Sequence, residues 1–213
     1  STSFVRAGTF DPDEVARQMP HGIGQVTRIG ASTGLHPRES AAFMNAIQQV
    51  ALERTRLGIP VIVHEEATGG FCHRDATVFP QGLGLAATWN PALVTEVATV
   101  IRSQMLAVGA RHALAPVLDV ARDPRWGRVE ETYGEDPVLI GMIGNAYVRG
   151  LQSDDLRQGV AATGKHFLGY AMSDGGRNWG PVQLGPRELR EVYAEPFSAV
   201  IRTTGLEIGR AHV

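Results

Sequence analysis

Short, wholly apolar segments alternate with helical stripes along most of this chain, and that alternation limits the fold more than any other feature. Pro60–His64 reads PVIVH, an unbroken β-branched run bounded by Gly and Pro on one side and carboxylates on the other. Runs of this kind fit strands covered on both faces, as parallel strands are. ALAPVLDV (Ala113–Val120) and VAAT (160–163) read the same way, while HGIGQVTRI (His21–Ile29) and Gly84–Trp89 are weaker strand candidates. Between them lie helical stripes. Phe43, Ile47, Val50, Ala51 and Leu57 follow helical spacing from Pro37, with Gly58 placed to close the helix. Leu93, Val97, Ile101, Met105 and Val108 make a second stripe between Asn90-Pro91 and Gly109. Further helices are expected from Asp11-Pro12 to Pro20, from Pro137 to about Val148, and from Pro186 to about Thr203 with a kink at Pro196. Strand and helix in alternation imply a parallel sheet wrapped by helices, either an open doubly wound sheet or a (β/α) barrel. The pattern alone leaves that choice open.

Length and composition set outer bounds. The 213 residues are 43% hydrophobic and 20% charged, with a formal net charge of −2, which suits one globular domain and gives no basic surface for nucleic acid. Cys72 is the single cysteine, so no internal disulfide forms. No apolar run is long enough for a membrane-spanning helix, and the start lacks the charged and apolar regions of a signal peptide. The compartment is left undecided, with the cytoplasm as default.

One segment departs from the strand and helix periods. DPRWGRVEETYGEDP (Asp123–Pro137) follows the apolar run ending at Asp119 and is dominated by Asp, Glu, Arg and Gly. Fixing such a loop costs roughly 1 to 2 kcal/mol of backbone entropy per residue, so compact domains keep few of them without a binding or catalytic use. It ends at Asp136-Pro137, a helix N-cap followed by proline at the first helical position.

That segment resembles the most characteristic motif of family 3 glycoside hydrolases, in their β-glucosidase branch. GIPVIVHEEATGGF (Gly58–Phe71), ATVFPQGLGLAATWNP (Ala76–Pro91), VAATGKHFLGY (Val160–Tyr170) and GGRNWGPVQLGPRELREVYAEPFSAVI (Gly175–Ile201) resemble the family in its own order. The resemblance implies a partial (β/α)8 TIM-type barrel of about five strand-helix units over residues 1–206, not closed within these residues, with 207–213 a tail outside the likeness. It also implies non-proline cis peptides around Lys165-His166-Phe167.

Barrel enzymes carry their reactive groups where strands end at the C-terminal face. Here those ends hold Glu65-Glu66, Asp119 with the charged loop, and Lys165-His166. Carboxylates and cations in a ring suit a sugar, since charge-assisted hydrogen bonds contribute about 1.5 to 3 kcal/mol each when water is excluded. The resemblance assigns Glu66, Arg128, Lys165 and His166 to the hydroxyls of the terminal sugar of a β-glucoside or short β-linked glucan. Each has a plain structural alternative: a surface ion pair of Arg128 with Asp123 or Glu130, and a paired core Lys165 beside a satisfied His166. Trp126 and Trp179 are sugar platforms or packing residues. Retaining glycosidases need a nucleophile and an acid/base about 5 to 5.5 Å apart. The resemblance places the family's pair in segments that these residues do not include, which leaves Glu66 and Asp119 as substitute candidates. The tail EIGRAHV, where relatives continue with another strand, is expected to mark a truncation or scar. An open sheet with uncovered edges leads to the expectation of a homo-oligomer. The alternative reading is a non-catalytic half-barrel for sugar binding or assembly.

No cofactor or metal is called for. GVAATGKH (Gly159–His166) falls one residue short of a phosphate-binding loop and has strand character inside it. GLGLAA (Gly82–Ala87) fits the glycine pattern of a dinucleotide site, but is expected to open no helix.

Overall fold

The computed structural model describes residues 5–6, 9–206 and 208–211. A small antiparallel pair, β1 (Val5–Arg6) and β2 (Thr9–Phe10), leads into α1 (Pro12–Gln18), β3 (Gln25–Thr27), α2 (Ile29–Thr33), α3 (Pro37–Arg54) and β4 (Ile62–Glu65). Then come α4 (Gly82–Ala86), α5 (Pro91–Val108), β5 (His112–Ala113), α6 (Pro137–Gln152) and β6 (Ala161–Phe167). The last elements are α7 (Pro186–Glu188), α8 (Glu195–Thr204) and β7 (Ile208–Ala211). The strands from β3 to β7 form one sheet in sequence order, every neighbouring pair parallel. Sequential parallel order with a helical crossover between strands is barrel connectivity, and the doubly wound alternative, whose strand order reverses, is excluded. Residues 208–211, set apart in the sequence reading, take the next position in this sheet beside β6.

Caps fix where the helices start. Asp11 accepts from the Asp13 and Glu14 amides, Asn90 from Leu93, and Asp136 from Val138 and Leu139, each with proline in the first turn that follows. Gly109 ends α5 in the left-handed conformation, which costs glycine nothing sterically. The stripe of α5, Val94, Val97, Ala98, Ile101, Met105 and Val108, is buried against α6 and the sheet.

Four expectations change in detail. Gly84–Trp89 is not a strand: Gly82–Ala86 is a short helix after Gln81, so the GLGLAA segment does open a helix, without the preceding strand that a dinucleotide site requires. Of ALAPVLDV only Ala113 keeps a regular ladder, in β5 with His112 before it, because Pro116 has no amide to donate. Its backbone still runs along β6, through Thr163 N to Ala115 O, Lys165 N to Pro116 O and Leu118 N to Lys165 O. The long helix from Pro37 ends at Arg54, and Gly58 turns the chain after it at φ +60°. The Pro186–Thr203 helix is broken by a π-turn over Leu189–Tyr193, with Pro196 in the first turn of α8. Non-proline cis bonds occur at Lys165-His166 and Phe167-Leu168.

Helices α5 and α6 approach tightly at Gly150 of α6, where a Cβ would lie 2.5 Å from the Ala98 Cβ and 2.5 Å from the Thr95 carbonyl oxygen of α5. Backbone on one side leaves no flexible atom to yield. Gly150→Ala is expected to destabilise the chain by about 1 to 3 kcal/mol through overpacking, read as a lower urea midpoint.

Candidate functional site

Four segments meet where β4, β6 and the strand-like stretch before Asp119 end. Lys165, within β6, is only 2% exposed and places its ammonium Nζ 2.9 Å from Glu66 Oε2, just past the end of β4. Burial pushes the Lys165 ammonium below its ordinary pKa, and the Glu66 charge and hydrogen bond work against that shift. The Glu66 side chain keeps 28% exposure, so the pair is buried at its cation and open at its anion.

His166, the next residue, is buried and bonds Asp119. The same carboxylate oxygen, Oδ2, lies 2.9 Å from the His166 backbone nitrogen and 2.7 Å from Nδ1. An ionised carboxylate only accepts, so Nδ1 carries the proton and the tautomer is set. Burial lowers the His166 pKa, with Asp119 opposing it, which favours the neutral ring. The ring meets Tyr170 edge-on at 5.0 Å.

Arg128 comes from the charged loop, which is held by a 3-10 turn at Val129–Glu131. Its guanidinium pairs with Glu131 through two bonds, Nε to Oε1 at 2.6 Å and Nη2 to Oε2 at 2.8 Å. Neither Asp123 nor Glu130 is the partner; Asp123 pairs with Arg125. Hydrogen bonding to Glu131 raises the Arg128 pKa further. Burial alone would raise the Glu131 carboxyl, but Arg128, with smaller contributions from Lys165 and His166, leaves it below its ordinary value. The Arg128 guanidinium carbon stands 6.0 Å from the Trp126 ring centroid and 5.8 Å from that of Tyr170. Trp126 is therefore a buried packing surface for the arginine, whereas Trp179 is exposed.

Glu66, Arg128 and Glu131 line one open cavity of about 730 Å³, together with Gln81, His73 and Asn178. That volume is in the range of small-molecule sites, roughly 300 to 1,000 Å³. Lys165 joins it through Glu66, and His166 through Tyr170 and Arg128. The four residues singled out in the sequence are thus in one connected group. Glu131 and Tyr170 are not among the residues that the sequence singles out; Glu65 is, as half of the Glu65-Glu66 doublet at a strand end, but with no role of its own. Among the described residues no cluster of His, Cys, Asp and Glu has the arrangement to hold a metal ion. No helix there is long and apolar enough to cross a membrane.

Residues 9–213 match the model of the glycosyl hydrolase family 3 N terminal domain. A β-xylosidase of Formosa agariphila is 40% identical over 168 residues, 74% of this chain and 23% of its own. A probable β-glucosidase C of Aspergillus flavus is 36% identical over 191 residues, 84% of this chain and 30% of its own. Among solved structures, a β-glucosidase of Erythrobacter marinus superposes with a TM-score of 0.87 at 35% identity, over 93% of this chain and 27% of that one. The chain therefore spans between a quarter and a third of the length of these relatives, or slightly less.

Removing the anion of the buried pair has a signed consequence. Glu66→Gln leaves the Lys165 ammonium without its counter-charge, and the loss of stability at pH 7 is expected to fall between about 1 kcal/mol, as for an exposed pair, and about 3 kcal/mol, as for a buried one. The loss should shrink at pH 10, where the unpaired lysine sheds its proton; urea unfolding at the two pH values measures both.

Proposed function

The chain belongs to glycosyl hydrolase family 3, within its N-terminal domain, and from that premise we propose that its pocket grips the terminal β-glucosyl unit of a β-glucoside or short β-linked glucan, as the sugar-binding part of a β-glucosidase-type hydrolase. The observation that carries this reading is the convergence of the Lys165–Glu66 pair and the Arg128–Glu131 fork on one cavity. The pairs hold both signs of charge at fixed positions before a ligand arrives, so a ring of hydroxyls finds donors and acceptors already oriented. Lys165 donates only and Glu66 accepts only, while neutral His166, its Nδ1 proton directed at Asp119, can only accept at Nε2; donors and acceptors together match hydroxyls that donate and accept. The relatives named as β-glucosidases support glucose, and the one named as a β-xylosidase keeps a pentose within the same class.

In this reading Glu66 and Asp119 bind and orient; neither replaces a nucleophile. Each is committed to a cation or a donor, Glu66 to Lys165 and Asp119 to the backbone amide and ring Nδ1 of His166. Cleavage with retention needs two carboxyl groups about 5 to 5.5 Å apart, one of them free to attack. The same commitment favours a second reading, in which the 213 residues act as a sugar-binding module without turnover.

Calorimetric titration with glucose tests the proposal. The chain should bind, and Lys165→Ala should weaken binding about 10- to 100-fold, the loss of one charge-assisted hydrogen bond. Unchanged affinity in that variant sinks the site assignment. Turnover of an aryl β-glucoside by homogeneous protein, abolished by Glu66→Gln or Asp119→Asn, would make those carboxylates chemical participants and overturn their binding role. Self-association belongs to the same proposal, because β3 pairs only with β4 among the described residues and leaves its outer edge open. Sedimentation at micromolar concentration should show a dimer; a monomer excludes it.

A further inference from the structure

Glu65 lies beside the pocket's acceptor but does not face the same way. Successive residues of an extended strand point to opposite sides, so with Glu66 on Lys165, Glu65 turns toward the exit of β3. It is fully buried. Its Oε1 accepts from the Gly30 amide at 2.7 Å, with weaker backing from the Ala31 and Ile29 amides. Its Oε2 is buried and has no hydrogen-bond partner among the described residues. Gly30 and Ala31 line the cavity.

The same segment is clamped from its other side. A Cβ on Gly30 would lie 2.4 Å from His73 Cδ2, so the histidine ring packs directly on the Gly30 backbone. His73 Nε2 is 2.8 Å from Ser40 Oγ in α3, and Nδ1 is 2.6 Å from the Arg74 carbonyl oxygen. One wall of the pocket is therefore a backbone strip held between a buried carboxyl and an imidazole tied to α3. Neither group is needed to touch sugar for the wall to stand.

We infer that Glu65 is a positioning residue that fixes Ile29–Ala31 as the wall of the sugar pocket, and that it does so best as a neutral acid. The inference rests on the sugar-binding reading for its purpose, though its geometry stands apart from that reading. An ionised carboxylate has about four lone-pair sites to satisfy, and this one has an oxygen with none satisfied. A protonated acid suits the site better: one oxygen accepts from Gly30 and the unpartnered one carries the proton. Desolvation accordingly raises the Glu65 pKa to about 7, against the three amides and the Arg28 charge, which lower it. The other titratable neighbours are Cys72, whose own pKa is raised by burial first and then by the charges of Glu65 and Glu66, and His73 behind Gly30.

The sign follows from linkage. A carboxyl with a raised pKa in the closed wall supports closure fully below its solvent value of about 4.5, and that support is lost as pH rises to about 7. Residue-resolved amide exchange of the whole 213-residue chain reads it. Protection at Gly30, corrected for intrinsic rate, should fall progressively across that window and level off above it. In Glu65→Gln, which keeps the accepting oxygen and cannot ionise, it should stay flat. A flat wild-type profile overturns the inference whatever the variant does, and a sloping profile in Glu65→Gln assigns the effect to His73 or Cys72 and also overturns it. Glucose affinity measured on the same samples should weaken with pH in the wild type and hold steady in Glu65→Gln. If neither protein binds glucose, the sugar reading fails, while the exchange profiles still decide the role of Glu65.

Discussion

A lysine ammonium that is only 2% exposed must have an anion, and the site is built around that requirement. Leaving a charge unpaired in such a place is strongly destabilising, by about 3 to 5 kcal/mol for fully buried pairs. Lys165 stands in β6 and its partner Glu66 follows β4, with β5 between them in the sheet. The pair can therefore form only when three parallel strands are in register. Those registers set Glu65 opposite Ala113 and Ala113 opposite Ala162, so that Lys165, three residues further along β6, comes within reach of Glu66 just past the end of β4. The fold and the pocket are in this sense one constraint: the sheet that buries the lysine also delivers the carboxylate.

The charged loop is organised by the same logic on a smaller scale. Arg128 is held by Glu131, three residues on, with Trp126 and Tyr170 beside its guanidinium. A fork with two bonds and aromatic neighbours orients a guanidinium far better than one contact with a point charge would. Tyr170 then links this loop to His166, whose ring is oriented in turn by Asp119. The cations keep fixed directions because each has its own carboxylate.

Much of this was legible in the sequence, because strong local signals agreed with the tertiary outcome. Asn90-Pro91 with Gly109, and Asp136-Pro137, marked helix limits through capping chemistry that holds in any context. The unreadable parts were those decided by partners far along the chain. Gly82–Ala86 is too short for its apolar residues to separate strand from helix, and burial of Leu85 and Ala86 settles it. Arg128 had three carboxylates nearby in sequence, and only the 3-10 turn brings Glu131 rather than Glu130 to it. Glu65 and Glu66 are adjacent and chemically alike; strand parity sends them to different tasks, and parity depends on a register fixed by β3 and β5.

The central claim is that Glu66, Arg128, Lys165 and His166 act together on one sugar. The most direct test is nuclear magnetic resonance of the isotope-labelled chain during glucose addition, with every shifted amide mapped on the fold. The account predicts that saturable shifts concentrate at Glu66, at Arg128–Glu131 and at Lys165–His166. Shifts that instead gather in the outer cleft between α5 and α6, around Arg102, Arg149 and Gln152, or that fail to saturate at the pocket, would contradict it.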